Sequence, residues 1–125
     1  MNINARNRWA LAAAFLTLVI VSPARGATFT NAYYDSATSE IVVTMLYSGT
    51  NPNHDFSVKW STCHPLGSDG TQFQIAGDVR DSQWDDTAKT TYTKTVRFNV
   101  ANLNCHPATV TLRTAPRFET TVQIP

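Results

Sequence analysis

The sequence predicts an all-β fold, a single antiparallel β-sandwich of about seven strands. Three observations lead to this prediction. Apolar and polar residues alternate with a period of two along most of the chain after residue 27. Clusters of glycine, proline, asparagine and aspartate interrupt the alternation about every 8–12 residues. The same region has no stretch rich in leucine, alanine, glutamate and lysine, the composition that favours a helix.

Seven segments carry the alternation, and each predicts one strand. In chain order they are Thr28–Tyr34, Glu40–Tyr47, His54–Thr62, Thr71–Asp81, Thr90–Val100, Ala108–Thr114 and Arg117–Ile124. The first is predicted to point Phe29 and Tyr33 inward. The second is apolar on both faces, which is typical of a central strand. The third alternates most cleanly and is predicted to point Phe56, Val58 and Trp60 inward.

The remaining four segments each supply apolar residues to one face of a strand. In the fourth, Gly77 interrupts the pattern and predicts a bulge. In the fifth, aromatic and aliphatic residues lie on one face of the strand and threonines lie on the opposite face. The inward residues predicted for these four segments are Phe73, Ile75, Val79, Tyr92, Val96, Phe98, Val100, Val110, Leu112, Phe118, Val122 and Ile124.

The first 26 residues have the pattern of a signal peptide. Arg6 and Arg8 precede an apolar run of about a dozen residues, which is short for a membrane span of about 20. Small residues around Pro23 then offer cleavage after Ala24 or Gly26. We therefore expect a signal peptide at 1–26 and one β-sandwich domain at 27–125, exported to the periplasm or secreted. The alternative is an uncleaved anchor; after cleavage no stable membrane insertion is expected.

The charge of the chain argues against nucleic-acid binding. Cleavage after Gly26 would remove three of the ten basic residues and none of the nine acidic ones, leaving a net charge of −2 with histidine neutral. No basic stripe remains to neutralise phosphates. About 100 residues then form one core, because that length is too small for two domains.

The architecture resembles an immunoglobulin-like sandwich. About seven short strands in about 100 residues are typical of that fold, and Trp60 fits the buried tryptophan of its third strand. The resemblance concerns architecture and not a family, because both cysteines of this chain follow the tryptophan. A small β-barrel is the alternative, since alternation alone does not distinguish the two.

Both cysteines lie in a Cys-His-Pro sequence, in "TCHP" at 62–65 and "NCHP" at 104–107. If consecutive strands alternate in direction, Cys63 and Cys105 fall in neighbouring turns at one end of the sandwich. In an oxidising compartment such a pair is expected to form a disulfide. A zinc site using the cysteines is the competing interpretation, but it needs reduced thiols and lacks the usual ligand spacing.

The two histidines of these sequences give a second hypothesis. A disulfide would bring His64 and His106 to neighbouring turns, and two imidazoles bind Cu²⁺ or Zn²⁺ weakly. The alternative is that both are solvated turn residues, since no third ligand can be named.

The opposite end is the predicted binding surface. Three connections should meet there, 48–54, 82–89 and 115–116, and the middle one carries a tryptophan in a polar segment. The alternative is that this tryptophan folds back over the core. Four aspartates near this end, Asp78, Asp81, Asp85 and Asp86, form only a weak calcium signal because they match no twelve-residue loop. The candidate binding residues are His54, Asp55, Trp84, Asp85, Asp86 and Arg117.

The sequence carries no motif of a nucleophilic, metal-dependent or phosphate-binding enzyme. We therefore expect a small exported domain that is not an enzyme, has no cofactor and binds a protein or a glycan. The alternative function is a small soluble metal-handling protein that uses His64 and His106.

Overall fold

The computed structural model describes residues 27–115 and 118–125, which form eight strands and no helix. The predicted signal peptide at 1–26 and the candidate residue Arg117 lie outside these residues. Among the described residues there is thus no helix that could span a membrane. The strands are β1 (Thr28–Asp35), β2 (Glu40–Gly49), β3 (Phe56–Trp60), β4 (His64–Leu66), β5 (Gln72–Asp81), β6 (Thr90–Asn99), β7 (Ala108–Thr114) and β8 (Phe118–Ile124).

The strands form two sheets, and the prediction of an all-β sandwich is confirmed. The smaller sheet has the order β1-β2-β6, and the larger has the order β3-β5-β7-β8 with β4 added on β5. All pairs are antiparallel except β5 and β7, which run parallel. β5 and β7 can run parallel because β6, which lies between them in the chain, runs in the opposite direction as part of the other sheet. The larger sheet is therefore mixed, and an immunoglobulin-like strand order is not confirmed.

The eighth strand, β4, is the one that the sequence did not predict. It has three residues, of which Pro65 pairs with Phe73 of β5. Such a short strand shows no alternation, and its proline suits an edge position. The "TCHP" sequence therefore enters an edge strand rather than a simple turn.

The prediction for Tyr33 was wrong because β1 contains an irregularity. The register with β2 shifts between Phe29 and Asn31, which places one extra residue, Thr30, in β1. An extra residue reverses which side chains point inward beyond it. Tyr33 consequently lies on the outer face and is 49% exposed, while its neighbour Tyr34 packs against the core.

The core lies between the two sheets and is built mainly by β2 and β7. Ile41, Val43 and Met45 of β2 and Leu112 of β7 are fully buried. Trp60, predicted to be buried, packs against this core but remains partly exposed. The reason is that β3 is an edge strand of its sheet.

Gly77 marks a close contact and not the predicted bulge, since its register with β3 and β7 is regular. A Cβ at this position would lie 2.7 Å from the Trp60 ring, 2.7 Å from Val58 Cγ2 and 3.0 Å from Leu112 Cδ2. Gly77→Ala should therefore destabilise the fold by about 1–3 kcal/mol, the usual cost of overpacking. Denaturant unfolding measures the loss, and adding Trp60→Phe should recover part of it. An unchanged stability would show that the indole moves aside freely.

The predicted disulfide between Cys63 and Cys105 is confirmed. The two Cα atoms are 5.9 Å apart, and the bond joins the segment after β3 to the connection between β6 and β7. The side chain of Cys105 is fully buried. The disulfide therefore holds one end of the sandwich together, as the alternation of strand directions predicted.

Candidate functional site

Two connections meet at the end opposite the disulfide. Loop 50–55 follows β2, and turn 82–89 follows β5. They converge because Gly49 pairs with Thr90 in one sheet and Phe56 pairs with Asp81 in the other. The connection after β7 leaves from the same end, because β7 runs parallel to β5.

His54 is the centre of this end and is completely buried. Its Nδ1 lies 2.6 Å from Oδ2 of Asp81, and its Nε2 lies 3.3 Å from Oδ2 of Asp86. Both ring nitrogens face carboxylate oxygens, so both hydrogen bonds form when a protonated imidazole donates from each side. His54 was predicted to contact a partner, whereas the structure gives it no exposed surface and makes it a link between two loops.

Two residues of β2 form the walls around the imidazole. Gly49 is buried, and a Cβ there would collide with Nε2 of His54 and lie 2.7 Å from Oδ2 of Asp86. The Tyr47 ring lies 5.0 Å from the imidazole between centroids, and its hydroxyl donates to the carbonyl of Pro52 at 2.7 Å. A side chain at position 49 would therefore exclude the histidine.

Asp86 is held as a carboxylate by several donors. The backbone N–H of Thr50 donates to it at 2.6 Å and the Thr50 hydroxyl at 2.8 Å. The N–H of Ala88 donates at 3.1 Å. These bonds, led by the Thr50 backbone and with a smaller contribution from His54, lower the pKa of Asp86 from 3.8 to about 2.

Acid should weaken the link between the two loops. Because the pKa of Asp86 is lowered in the folded state, its bonds stabilise the fold above about pH 3.8, and this contribution is lost as the pH falls through about 2. Unfolding measured between these pH values should show a loss of stability that Asp86→Asn reduces. Thr50→Val, which removes one donor and keeps the backbone donor, should give an intermediate profile. Identical profiles for all three proteins would contradict this prediction.

Further hydrogen bonds join loop 50–55 to turn 82–89. The N–H of Ser82 donates to the carbonyl of Asp55 at 2.8 Å, and the N–H of Asp55 donates to Oγ of Ser82 at 2.9 Å. The Asn51 amide donates to Oε1 of Gln83 at 3.1 Å, and the Gln83 amide donates to the carbonyl of Asn53 at 3.1 Å. The polar side chains of this end are thus largely used to hold the two connections together.

Trp84 projects from the tip of this structure and is 69% exposed. The turn below it is closed by the N–H of Asp86, which donates to the Gln83 carbonyl at 3.0 Å. The N–H of Gln83 in turn donates to Oδ1 of Asp81 at 2.9 Å. The alternative that Trp84 covers the core is therefore wrong, and its neighbour Asp85 is also exposed.

Lys94 of β6 completes the site, although the sequence did not single it out. It faces Met45 across the inner side of the small sheet, and its ammonium donates to the carbonyl of His54 at 2.7 Å. The same group lies 3.6 Å from Oδ1 of Asp55. A charged residue at an inward position of an alternating strand was the signal that could have identified it.

The four aspartates of the predicted calcium signal do not share one site. Asp78 faces Arg113 on the outer side of the large sheet at 3.4 Å, away from the carboxylates around His54. His64 and His106 are exposed, and their nitrogens lie near the hydroxyl of Thr62 and the carbonyl of Pro125. Over residues 27–115 and 118–125, no three His, Cys, Asp or Glu side chains are placed to hold an ion. A weak site at His64 and His106 stays a prediction.

Comparison with known proteins adds no functional assignment. No family model, no curated protein and no solved structure matches the chain. The geometry of the two connections around His54 is therefore the basis for any functional conclusion.

Proposed function

We propose that this protein is an exported, non-catalytic binding domain whose contact surface is the tip of turn 82–89. The observation that carries the proposal is the exposed Trp84 on a turn that hydrogen bonds fix from both sides. An indole held in water gains no burial energy in the free protein, but it supplies a large apolar contact once a partner covers it. Because the turn is already ordered, binding would cost little conformational entropy.

Two features support export. The first 26 residues have the charge and apolar pattern of a signal peptide. A structural disulfide such as Cys63–Cys105 is typical of an oxidising compartment, such as the periplasm or the extracellular space. The partner is then a protein or glycan outside the cytoplasm.

His54 supports a binding role in preference to catalysis at this end. Its two ring nitrogens are each occupied by a carboxylate, and its side chain is inaccessible. A general base must reach the proton that it removes, which this imidazole does not do in the described arrangement. The cluster acts instead as a rigid base for Trp84.

The proposal is tested with Trp84→Ala. Because the indole is mostly exposed, unfolding stability should change by less than about 0.5 kcal/mol. Binding to a partner captured from an envelope extract should weaken by about 2 kcal/mol or more, the threshold of an interface hot spot. Tyr33→Ala, which removes another exposed aromatic from the outer face of the small sheet, is the matched control and should leave binding intact.

The alternative metal-handling function is tested by measuring binding to the same partner and by titrating the protein with Cu²⁺ and Zn²⁺. His64→Ala combined with His106→Ala should leave partner binding nearly unchanged. If binding survives Trp84→Ala and is lost only with the two histidines, the proposed contact surface is wrong.

A further inference from the structure

We infer that the surface around Trp84 takes a basic segment of another protein, with an arginine or lysine side chain resting on the indole. This inference rests on the proposed function and names the chemistry of the partner. The inference depends on which polar groups beside Trp84 are free to bind a partner and which are already hydrogen-bonded.

Most of the neutral hydrogen-bonding side chains in loop 50–55 and turn 82–89 are already occupied, and the exposed side chains of Asn53 and Thr87 are the exceptions. Asn51 and Gln83 bond to each other and to the backbone, and Oγ of Ser82 accepts from Asp55. The hydroxyl of Thr50 donates to Asp86. Amide and hydroxyl groups are the ones that both donate to and accept from sugar hydroxyls. Because most of them hold the two loops together, few remain to bind a glycan.

The other exposed polar groups beside Trp84 are carboxylates. Asp85 follows Trp84 in the chain, is exposed, and makes no hydrogen bond or ion pair within the described residues. The side chain of Asp55 is 88% exposed, and its backbone bonds to Ser82 place it beside the turn. Carboxylates only accept hydrogen bonds, so they are matched by the donors of arginine and lysine.

One cation at this end offsets part of the charge of Asp55, and none within the described residues pairs with Asp85. His54 faces Asp81 and Asp86 beneath the surface, and the Lys94 ammonium donates to a backbone carbonyl while lying 3.6 Å from Asp55. Lys89 lies at the other end of the turn, next to the start of β6. The tip itself therefore combines an exposed indole with free negative charge, the combination that attracts a guanidinium to an aromatic face.

The test uses the peptide Gly-Arg-Gly-Arg-Gly-amide with a dye on its N-terminus, and the same peptide with glutamate in place of arginine. Fluorescence anisotropy gives the affinities, and ¹⁵N spectra locate the site through the Trp84 indole signal, identified by its loss in Trp84→Ala. The arginine peptide should shift this signal with saturation, and the glutamate peptide should not. Trp84→Ala should weaken arginine-peptide binding by about tenfold and Asp85→Asn by about threefold.

Matched controls separate a specific site from general attraction between charges. Tyr33→Ala removes an exposed aromatic elsewhere, and Asp69→Asn removes one negative charge from an exposed position near the disulfide end. Both should change the affinity by less than about twofold. An equal loss in Asp69→Asn and Asp85→Asn would show that only net charge matters and would overturn the inference.

A glycan partner is the other outcome, tested with cellotetraose and chitotetraose in the same spectra. If either sugar shifts the Trp84 indole signal while the arginine peptide does not, the basic-segment inference is wrong and the proposed binding surface stands. If neither probe binds, the inference is also overturned. The proposed function fails separately, when the captured partner binds Trp84→Ala as tightly as the native protein.

Discussion

Replacing His54 by alanine should destabilise the domain by about 3–5 kcal/mol, because a large buried side chain is lost and its hydrogen-bond partners are left without it. The imidazole is fully buried and is the common partner of Asp81 and Asp86. In its absence the two carboxylates would lose their hydrogen bonds to the imidazole and would face an empty space. The Tyr47 ring would also lose the surface on which it packs.

Denaturant unfolding near pH 7 measures this effect. Asp55→Ala is the matched control, because it changes the next residue in the same loop, whose side chain is almost entirely exposed. Its effect should stay below about 0.5 kcal/mol. A loss of less than about 1 kcal/mol in His54→Ala would mean that the loops hold together without the imidazole, and the interpretation of His54 as their link would be wrong.

Gly49→Ala perturbs the same cluster without removing any of its polar groups. The added methyl would collide with Nε2 of His54, so the histidine or the end of β2 must move. We expect the two variants to share one signature, a change in the environment of the Trp84 indole, because the turn that carries Trp84 depends on Asp81 and Asp86. This readout distinguishes loss of the loop link from a general loss of stability.

The fold was largely predictable because period-two alternation is a local property. β7 was predicted with its observed bounds, Ala108–Thr114, and β2 was correctly predicted as a central strand. The disulfide followed from the same information, since alternating strand directions place Cys63 and Cys105 at one end. The strand predictions needed only the pattern, whereas the disulfide prediction also needed the oxidising compartment that the predicted signal peptide implies.

The predictions that failed depend on structural features that the alternation of apolar and polar residues does not reveal. One extra residue in β1 turned Tyr33 outward, and the three residues of β4 were too few to show a period. The pairing of β5 with β7 required knowing that β6 crosses to the other sheet. A bulge or a crossover changes no composition, so it leaves no local signal.

The burial of His54 was the largest difference between the predicted and the observed candidate site. It lies in a segment of asparagine, proline and aspartate that is typical of an exposed loop. Its two carboxylate partners are 27 and 32 residues further along the chain. Only the three-dimensional arrangement shows that they surround it, and the same arrangement leaves Trp84 as the exposed residue of the set.

The two ends of the sandwich are held by different means, one by hydrogen bonds around His54 and the other by the disulfide. Removing the disulfide should also cause a large loss of stability. Cys63→Ala combined with Cys105→Ala should destabilise the fold by about 3–4 kcal/mol, because the bond closes a long loop in the unfolded chain. The cysteines are 42 residues apart in sequence, which sets the size of this entropic contribution. Alanine is preferred to serine because Cys105 is fully buried and a hydroxyl there would need a partner.

Reduction of the native protein provides the independent measurement for this prediction. Unfolding of the protein in excess dithiothreitol should match that of the double alanine variant in oxidising buffer, apart from the small packing loss at position 105. Because the disulfide and His54 lie at opposite ends, their effects should add within about 0.5 kcal/mol. The combined loss is comparable with the whole stability of a typical domain of this size, about 5–15 kcal/mol, so the triple variant should be largely unfolded at 37 °C. If it instead unfolds with the stability of the double alanine variant, the two ends are not independent and the disulfide holds the His54 cluster in place.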